Sequence, residues 1–281
     1  MRQFFYRHGK SIVTYAGFAV FALIVLFPFY FIVVSSFTPR YEIFQIPPRY
    51  FPENPTLENY PNMVNAIPFW QFYVNSLIFA IGSTVVSVLV SAMAGYALAR
   101  LKFPGSSLVF LALVLSIALP QVALLVPIRE IYNALHMNNT YHGLIILMSS
   151  LVTPFTVWIM VSFVNQIPVE IEEAAYIDGA TIWQTIIRVV LPTMRPALAT
   201  MLIINFIISW NELLYPLIFA TRNDTKTLSV GLISLGREAM GTSRPWDLMS
   251  AMSVLMILPV LVLIIFGQRA IVSGLTRGAV K

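Results

Sequence analysis

The chain has 281 residues, of which 58% are hydrophobic and only 10% are charged. Soluble domains carry about 25% charged residues, so this composition argues against a soluble fold. The net charge of +5 does not indicate nucleic-acid binding, because Lys and Arg at the ends of membrane helices account for it. The sequence has no cysteine, which excludes a disulfide framework and a thiolate metal site.

Six apolar segments are each close to the ~20 residues that a helix needs to cross the hydrocarbon core of a bilayer. We predict transmembrane helices over Ile12–Val34, Val74–Leu98, Leu108–Pro127, Leu144–Val164, Ala197–Ala220 and Met249–Val272. The first segment follows three basic residues, as a signal peptide would. Its apolar run is longer than the usual core of about 7–15 residues, and no small-residue cleavage site follows it. We therefore interpret it as a retained anchor.

The basic residues indicate how the chain is oriented. Most of the 17 Lys and Arg fall on one side of the predicted spans, and that side holds the short segments, which count most in the positive-inside rule. The N-terminal segment, the loop 165–196 and the C-terminus are therefore predicted to be cytoplasmic. The segment 37–73 is then external, and its prolines and aromatic residues predict an extended, ordered cap.

The second predicted span carries a small residue at every fourth position: Ser83, Ser87, Ser91, Gly95 and Ala99. Residues with this spacing share one face of a helix. Small side chains let two helix backbones approach closely in a membrane, where apolar burial does not drive helices together. The ladder therefore predicts a tight helix contact, either within this chain or with a partner subunit.

A polar segment, "IPVEIEEAAYIDGATIWQTIIRVVLP", lies between the fourth and fifth predicted spans. Pro168 suits the first turn of a helix, and Gly179 suits the left-handed position that ends one. Thr181 and Gln184 then match a capping box, which predicts a second short helix. Helices of about ten residues are not stable alone in water, so these two must pack on something.

The first of these short helices has two different faces. Small and apolar side chains form one face and polar ones the other, with Ile171, Ala174 and Ala175 opposite Glu172, Glu173 and Tyr176. An interfacial helix would carry basic residues on its polar face, whereas this helix carries acidic ones. We therefore predict that the element docks on a basic protein partner.

The fifth predicted span contains the one carboxylate that lies clearly inside a predicted span, Glu212. At about 100° per residue, Asn205, Ser209, Glu212 and Pro216 share one face. Charge within a membrane helix usually marks a functional site. We predict that a translocation pathway is lined by Asn205, Ser209, Asn211 and Glu212. A proton-coupled secondary transporter stays open as an alternative, although it normally needs several buried ionisable residues.

Common catalytic motifs are missing from the sequence. The three histidines form no HExxH metal motif, and neither a Walker A phosphate loop nor a GxSxG nucleophile elbow occurs. We therefore predict that the chain is not an enzyme and has no metal site or cofactor of its own.

The segment "EAAYIDGATIWQTIIRVVLP" closely resembles the EAA loop of ABC importer permeases. The matching positions are Glu173, Ala174, Ala175, Asp178, Gly179, Ala180, Leu191 and Pro192. Ile186 stands where the family often has Phe, a change that keeps the bulk of the side chain. The segments "YALARLKFPG", "LPQVALLVPI", "WNELLYPL" and "QRAIVSGLTRGAVK" resemble carbohydrate permeases of the MalG type. Together the likeness covers about residues 70–281.

The resemblance implies a fold: an all-α integral membrane protein with six transmembrane helices of the type I ABC importer permease fold and a cytoplasmic EAA coupling helix-turn-helix. It implies one polytopic domain over residues 1–281, a permease core over 71–272 and a coupling loop over 168–192. In this family the loop seats in a cleft of the ATPase. That assigns the coupling role to Glu172, Glu173, Ala174, Ala175, Asp178, Gly179, Ala180 and Pro192.

The resemblance also implies a function and a set of partners. The chain would be a permease subunit of an ATP-driven, binding-protein-dependent importer of a sugar or oligosaccharide, in the inner membrane of a bacterium. Its partners would be a permease of the MalF type, two ATPase subunits that use ATP and Mg, and an extracytoplasmic solute-binding protein. The same architecture importing a polyol or a glycerol phosphate is the alternative.

Overall fold

The computed structural model describes the backbone of residues 2–47, 49–238 and 244–279, and the side chains of residues 11, 13–47, 49–236 and 244–268. Within these residues the regular secondary structure is entirely helical, which confirms the all-α prediction. The helices are α1 (Arg2–Ser36), α2 (Arg40–Ile43), α3 (Asn59–Ala66), α4 (Phe69–Arg100), α5 (Ser106–Ile117), α6 (Gln121–Ala134), α7 (Tyr141–Val164), α8 (Val169–Ile177), α9 (Ile182–Thr185), α10 (Leu191–Thr193), α11 (Arg195–Asn211), α12 (Leu214–Phe219), α13 (Leu228–Glu238) and α14 (Trp246–Ala279). A π-helical segment, Ile186–Val190, joins α9 to α10.

In the described part of the chain, four helices are long and apolar enough to cross a membrane. They are α1 over Val13–Ser36, α4, α7, and α14 over Trp246–Gln268. Two further pairs of helices are apolar enough but bent: α5 with α6 by 107°, and the helical run Ile182–Thr193 with α11 by 75°. The described chain therefore has four spans, or up to six if each bent pair is one broken span. The count of six stays a prediction.

The third predicted span, Leu108–Pro127, is wrong as a continuous helix. α5 ends at Ile117 and α6 begins at Gln121, and Pro120 between them is extended, with φ −68° and ψ 118°. Proline lacks a backbone N–H and disfavours a helical conformation in the residue before it, so helices commonly end there. The bend leaves the apolar composition unchanged, so a hydropathy pattern cannot detect it.

The ladder of small residues in α4 packs on α7 of the same chain. Ser83, Ser87 and Ser91 are fully buried. Ser149 Oγ donates to the Ser83 carbonyl at 3.2 Å, and Thr153 Oγ1 donates to Ser87 Oγ at 3.3 Å. Ser91 Oγ donates in return to the Thr153 carbonyl at 3.4 Å. Of the two alternatives left open by the sequence, the contact within the chain is confirmed.

The chain divides into two compact units, one of residues 1–69 and 232–258 and the other of residues 70–231 and 259–281. In the first unit, the apolar window of α1 has no residue buried within the chain. In the segment that follows α1, Glu42 is buried and accepts hydrogen bonds from the Glu53 amide and Asn54 Nδ2, at 3.0 and 2.9 Å. The second unit holds all the residues predicted for coupling and for the pathway.

Candidate functional site

The first half of the coupling element, defined here as residues 168–192, is α8 and the turn that closes it. Gly179 has φ +84°, a conformation that favours glycine because it has no Cβ. The Gly179 amide donates to the Tyr176 carbonyl at 3.0 Å, and the Ala180 amide donates to the Ala175 carbonyl at 2.9 Å. Together these bonds form a Schellman motif, which satisfies the last carbonyls of the helix. The prediction that Gly179 ends the helix is confirmed.

The second half of the element begins with the predicted capping box. The Thr181 amide donates to Gln184 Oε1 at 2.8 Å, and the Gln184 amide donates to Thr181 Oγ1 at 3.3 Å. α9, the π-helical segment and α10 then form one run that contains Pro192. Pro192 has no N–H to donate to the preceding turn, and the wider π-helical turns lie directly before it. The chain turns toward α11 at Met194, with φ −83° and ψ 4°.

Glu172 faces the interior of the chain and not a docking surface. It is 3% exposed. Arg100 Nε donates to its Oε1 at 2.6 Å, and Tyr96 OH donates to its Oε2 at 2.9 Å. The grouping of Glu172 with Glu173 on one exposed face is therefore wrong. A buried carboxylate needs a paired charge and further hydrogen bonds, and the end of α4 provides both.

The inner side of the second helical run fixes the element to the spans. Ile186, Val190 and Met194 are buried in a single apolar cluster. The remaining buried members of that cluster are Val88, Tyr96, Met160, Val164, Ile167 and Met201. Burying an aliphatic side chain of this size contributes about 1.5–3 kcal/mol. The element is therefore packed onto the ends of α4 and α7 and not merely tethered by loops.

The outer side of the element exposes apolar side chains close to the turn at Gly179 in the sequence. Ile177, Ile182 and Trp183 are 87%, 50% and 63% exposed. Of the predicted coupling residues, Glu173, Ala174, Asp178 and Gly179 are exposed, whereas Ala175, Ala180 and Pro192 are half-buried. Exposed apolar side chains rimmed by polar ones mark a surface that a partner covers.

Asn205 and Ser209 are enclosed by the chain, and each is 0% exposed. Asn205 Nδ2 donates to Thr156 Oγ1 at 2.9 Å and to Ser87 Oγ at 3.3 Å. The amide thus joins α11 to α7 and α4, and leaving such a buried group unpaired costs about 1–3 kcal/mol. Neither residue has surface that a solute could reach in this structure, and their role in lining a pathway stays a prediction.

Asn211 and Glu212 lie at a break in the fifth predicted span. α11 ends at Asn211, and Glu212 is extended with ψ 130°. Glu212 Oε1 accepts hydrogen bonds from the Leu214 and Tyr215 amides at 2.7 and 3.3 Å, so it caps the start of α12. The continuous helix predicted over Ala197–Ala220 is therefore wrong. Asn211 is exposed and Glu212 is half-exposed, so both keep the access that a pathway residue needs.

Arg100 and Tyr96 belong to this site but were not among the residues predicted from the sequence. The signal that could have found them is their spacing, because residues four apart share a helix face and these two come at the last turn of a span. Within the described residues, no group of three His, Asp or Glu side chains could hold a metal ion.

These features define a class of protein: a helical membrane protein whose coupling element packs onto the ends of its spans. The chain belongs to the family described as the binding-protein-dependent transport system inner membrane component, whose sequence profile matches residues 87–277. The resemblance to carbohydrate ABC importer permeases is confirmed by this match and by the relatives that follow. The chain is thus a multi-pass inner-membrane transport component and not an enzyme.

Several relatives match nearly the whole chain. It is 35% identical to the inner membrane ABC transporter permease protein YcjP of Escherichia coli, over 95% of each chain. It is 37% identical to the sulfoquinovosyl glycerol transport system permease protein SmoH of Agrobacterium fabrum, over 91% of this chain and 89% of the relative. It is 32% identical to the trehalose/maltose transport system permease protein MalG of Thermococcus litoralis, over 97% of each.

The fold is also shared with a solved structure. A chain of a bacterial ABC transporter involved in the import of the acidic polysaccharide alginate superposes with a TM-score of 0.79. The alignment covers 92% of this chain and 95% of that one at 21% sequence identity. At this identity the likeness establishes the fold alone.

Proposed function

We propose that this chain is one of two membrane-spanning subunits of an ATP-driven importer, and that the coupling element docks on an ATPase subunit. The observation that carries the proposal is the exposed apolar side of the element, with Ile177 and Trp183, opposite an inner side that is fixed to the spans. The chain has no phosphate-binding loop, so ATP and Mg would be used by two partner ATPase subunits.

The acidic residues of this docking surface require complementary charge on the ATPase. Glu173 and Asp178 are exposed on the same element as Ile177 and Trp183. Complementary potentials fix the register of an interface and speed its formation. The ATPase cleft should therefore combine an apolar floor with basic residues at its edge.

We propose that ATP binding moves the spans through this element. When ATP draws two ATPase subunits together, an element seated on each of them is displaced. The Schellman motif and the capping box hold α8 and the second helical run at one angle, and the contacts of the element with α4 and α7 would carry the displacement to those spans. Transport then needs two packings of the helix bundle whose populations are shifted by nucleotide and solute. Asn211 and Glu212 would line the pathway at the helix break.

We propose that the solute is a sugar or oligosaccharide delivered by an extracytoplasmic solute-binding protein. Relatives are named for trehalose/maltose, arabinooligosaccharides and diacetylchitobiose. The accessible amide of Asn211 and carboxylate of Glu212 can both hydrogen-bond a solute rich in hydroxyl groups. A partner permease of the MalF type would supply the other half of the pathway.

Uptake by reconstituted vesicles tests this function. The vesicles contain this chain with its partner permease, its ATPase and its binding protein. We expect radiolabelled trehalose, maltose or an arabinose oligosaccharide to accumulate only with ATP, and to do so after the proton gradient is collapsed. Accumulation of a polyol or glycerol phosphate in their place would select that alternative. Uptake that persists without ATP but stops when the gradient collapses would overturn the proposal in favour of a proton-coupled carrier.

We also propose that the coupling element and both termini lie in the cytoplasm, because the short basic segments are on that side. The chain has no cysteine, so single cysteines can be introduced without background. In intact cells, Asn165→Cys, exposed in the same loop just before the coupling element, should react with a membrane-permeant thiol reagent but not with an impermeant one. Asn223→Cys, in the exposed loop after α12, should react with both. Labelling of Asn165→Cys by the impermeant reagent would reverse the proposed orientation.

A further inference from the structure

One guanidinium, that of Arg100, joins three helices of the second unit. Its Nε donates to Glu172 Oε1 at 2.6 Å, which ties the end of α4 to α8 in the coupling element. Its Nη2 donates to the carbonyls of Val164, at 2.9 Å, and of Ile167. Those carbonyls belong to the end of α7 and the turn after it. Two full-length spans and the coupling element therefore meet at a single side chain.

This junction is buried and its charges are paired. The Arg100 and Glu172 side chains are 13% and 4% exposed. Tyr96 OH donates to the second oxygen of Glu172 at 2.9 Å and lies 3.2 Å from the hydroxyl of Tyr176. A buried ion pair with further hydrogen bonds holds one geometry, because separating the partners leaves a charge buried alone.

The chemistry of arginine makes the junction stiff. The last carbonyls of a helix have no partner within it, and Arg100 supplies one for α7. The guanidinium is a planar fork of fixed geometry, so its three bonds cannot all follow independent motions of α4, α7 and α8. The apolar cluster around Ile186 and Val190 also joins these parts, but apolar contacts are non-directional and tolerate sliding.

We propose that the Arg100–Glu172 pair, together with Tyr96, is the rigid link through which a displacement of the coupling element moves α4 and α7 as one body. The inference rests on the proposed docking of that element on an ATPase. It gives Glu172 a positioning role inside the chain, whereas its neighbour Glu173 is exposed. Without the link, the coupling element would move relative to the spans. Less solute would then be transported for each ATP hydrolysed.

The first test measures rigidity in the complete importer, with ATP as the only added ligand. Spin labels are placed at Glu170→Cys on the coupling element and at Leu89→Cys on the exposed side of α4. In the wild-type background we expect one narrow distance distribution that does not change when ATP binds. With Glu172→Gln or Arg100→Gln we expect it to broaden and to shift on ATP binding. A wild-type distance that changes with ATP, or variants that keep the wild-type distribution, would overturn the proposal.

The second test measures coupling as solute transported per ATP hydrolysed, with the sugar that wild-type vesicles accumulate. Breaks in a coupling network change coupling by factors of about two to thirty, so we expect a loss in that range for Glu172→Gln and Arg100→Gln, with ATP hydrolysis retained. Glu170→Gln, on the exposed side of the same helix, is the matched control and should keep the wild-type ratio. A wild-type ratio in both variants would overturn the proposal.

A double variant separates transmission from stability. Replacing both members of a buried ion pair by apolar residues is often neutral for stability. Arg100→Met with Glu172→Leu should therefore unfold at a temperature close to wild type but transport as little solute per ATP as the single variants. If the double variant had both the unfolding temperature and the solute transported per ATP of the wild type, the pair would be merely structural and the proposal would be overturned.

A crosslink distinguishes failure of this inference from failure of the proposed function. A bifunctional reagent on Ile177→Cys should join the chain to the ATPase in the wild-type background and in every variant above. Absence of that crosslink in the wild-type background would reject the docking itself. A normal crosslink with unchanged distances and coupling in the variants would reject only the Arg100–Glu172 link.

Discussion

Replacing Gly179 by valine is expected to abolish ATP-driven uptake while the chain still inserts into the membrane. Gly179 has φ +84°, and a Cβ built there has no atom within 4 Å, so the cost is conformational and not a clash with neighbours. A β-branched residue held at such a φ costs about 1–3 kcal/mol. The nine-residue helix α8 relieves that strain when the two hydrogen bonds of its Schellman motif break. The angle between α8 and α9 then changes, and Ile177 and Trp183 no longer present one surface.

Two matched variants isolate the cause of this loss. Asparagine tolerates the left-handed conformation, so Gly179→Asn should keep substantial uptake. Gly105 also has a positive φ, +85°, and open space around its Cβ, but it precedes α5 outside the coupling element. Gly105→Val therefore carries similar strain and should keep the wild-type ratio of uptake to ATP hydrolysis. Normal uptake by Gly179→Val at equal membrane abundance would show that transport does not depend on the angle between α8 and α9.

The turn at Gly179 and the cap at Thr181 could be predicted because their causes are local. Each depends on hydrogen bonds between residues at most five apart, and on residue types that few other positions favour. For the coupling element, the prediction and the structure agree at these two helix termini but not beyond them. Sequence periodicity gives the composition of each face of α8 but not which face the rest of the chain will cover.

Glu172 shows why the burial of α8 could not be read from the sequence. Apolar side chains of this helix are exposed, so hydrophobicity does not mark its inner face. Ile171 is 42% exposed, whereas the charged Glu172 is 3% exposed. The deciding residue, Arg100, lies 72 positions away in the sequence. Its role depends on how α4 and α7 end side by side, which is a property of the packed bundle.

The broken spans were missed for a related reason. Hydropathy counts apolar residues in a window, and both Leu108–Pro127 and Ala197–Ala220 satisfy it. Pro120 could have marked the first break, but Pro127 lies inside α6 without ending it, so proline alone is ambiguous. The second break depends on the Glu212 carboxylate, which caps α12. From the sequence alone, a carboxylate in an apolar segment can equally be interpreted as a helix cap or as a pathway residue.

The second large effect is expected at Gly95, where α4 crosses α7. A Cβ at this position would lie 2.6 Å from Met160 Cβ, and 3.2 Å from the Met160 carbonyl carbon and the Val161 amide nitrogen. Two of these three atoms are backbone, and Cβ is fixed to it, so no side-chain rotation can make room. Gly95→Val must therefore push the two helices apart. Overpacking of this kind costs about 1–3 kcal/mol or more, and the bonds between the serine ladder and α7 weaken with it.

Two other glycines give the matched series for this prediction. The three atoms nearest to a Cβ at Gly82, also on α4, all belong to the side chain of Ile145, which can rotate, and a Cβ at Gly17 on α1 would meet nothing within 4 Å. Valine has the same helix propensity cost at all three positions, so differences report packing. We expect the thermal unfolding temperature in detergent to fall in the order Gly17→Val, Gly82→Val, Gly95→Val, with little folded protein recovered for the last. Equal stability of Gly82→Val and Gly95→Val would mean that the backbones of α4 and α7 are not in close contact at Gly95.

Because Tyr96 follows Gly95 directly and contacts Glu172, any folded Gly95→Val protein that is recovered should also transport less solute per ATP.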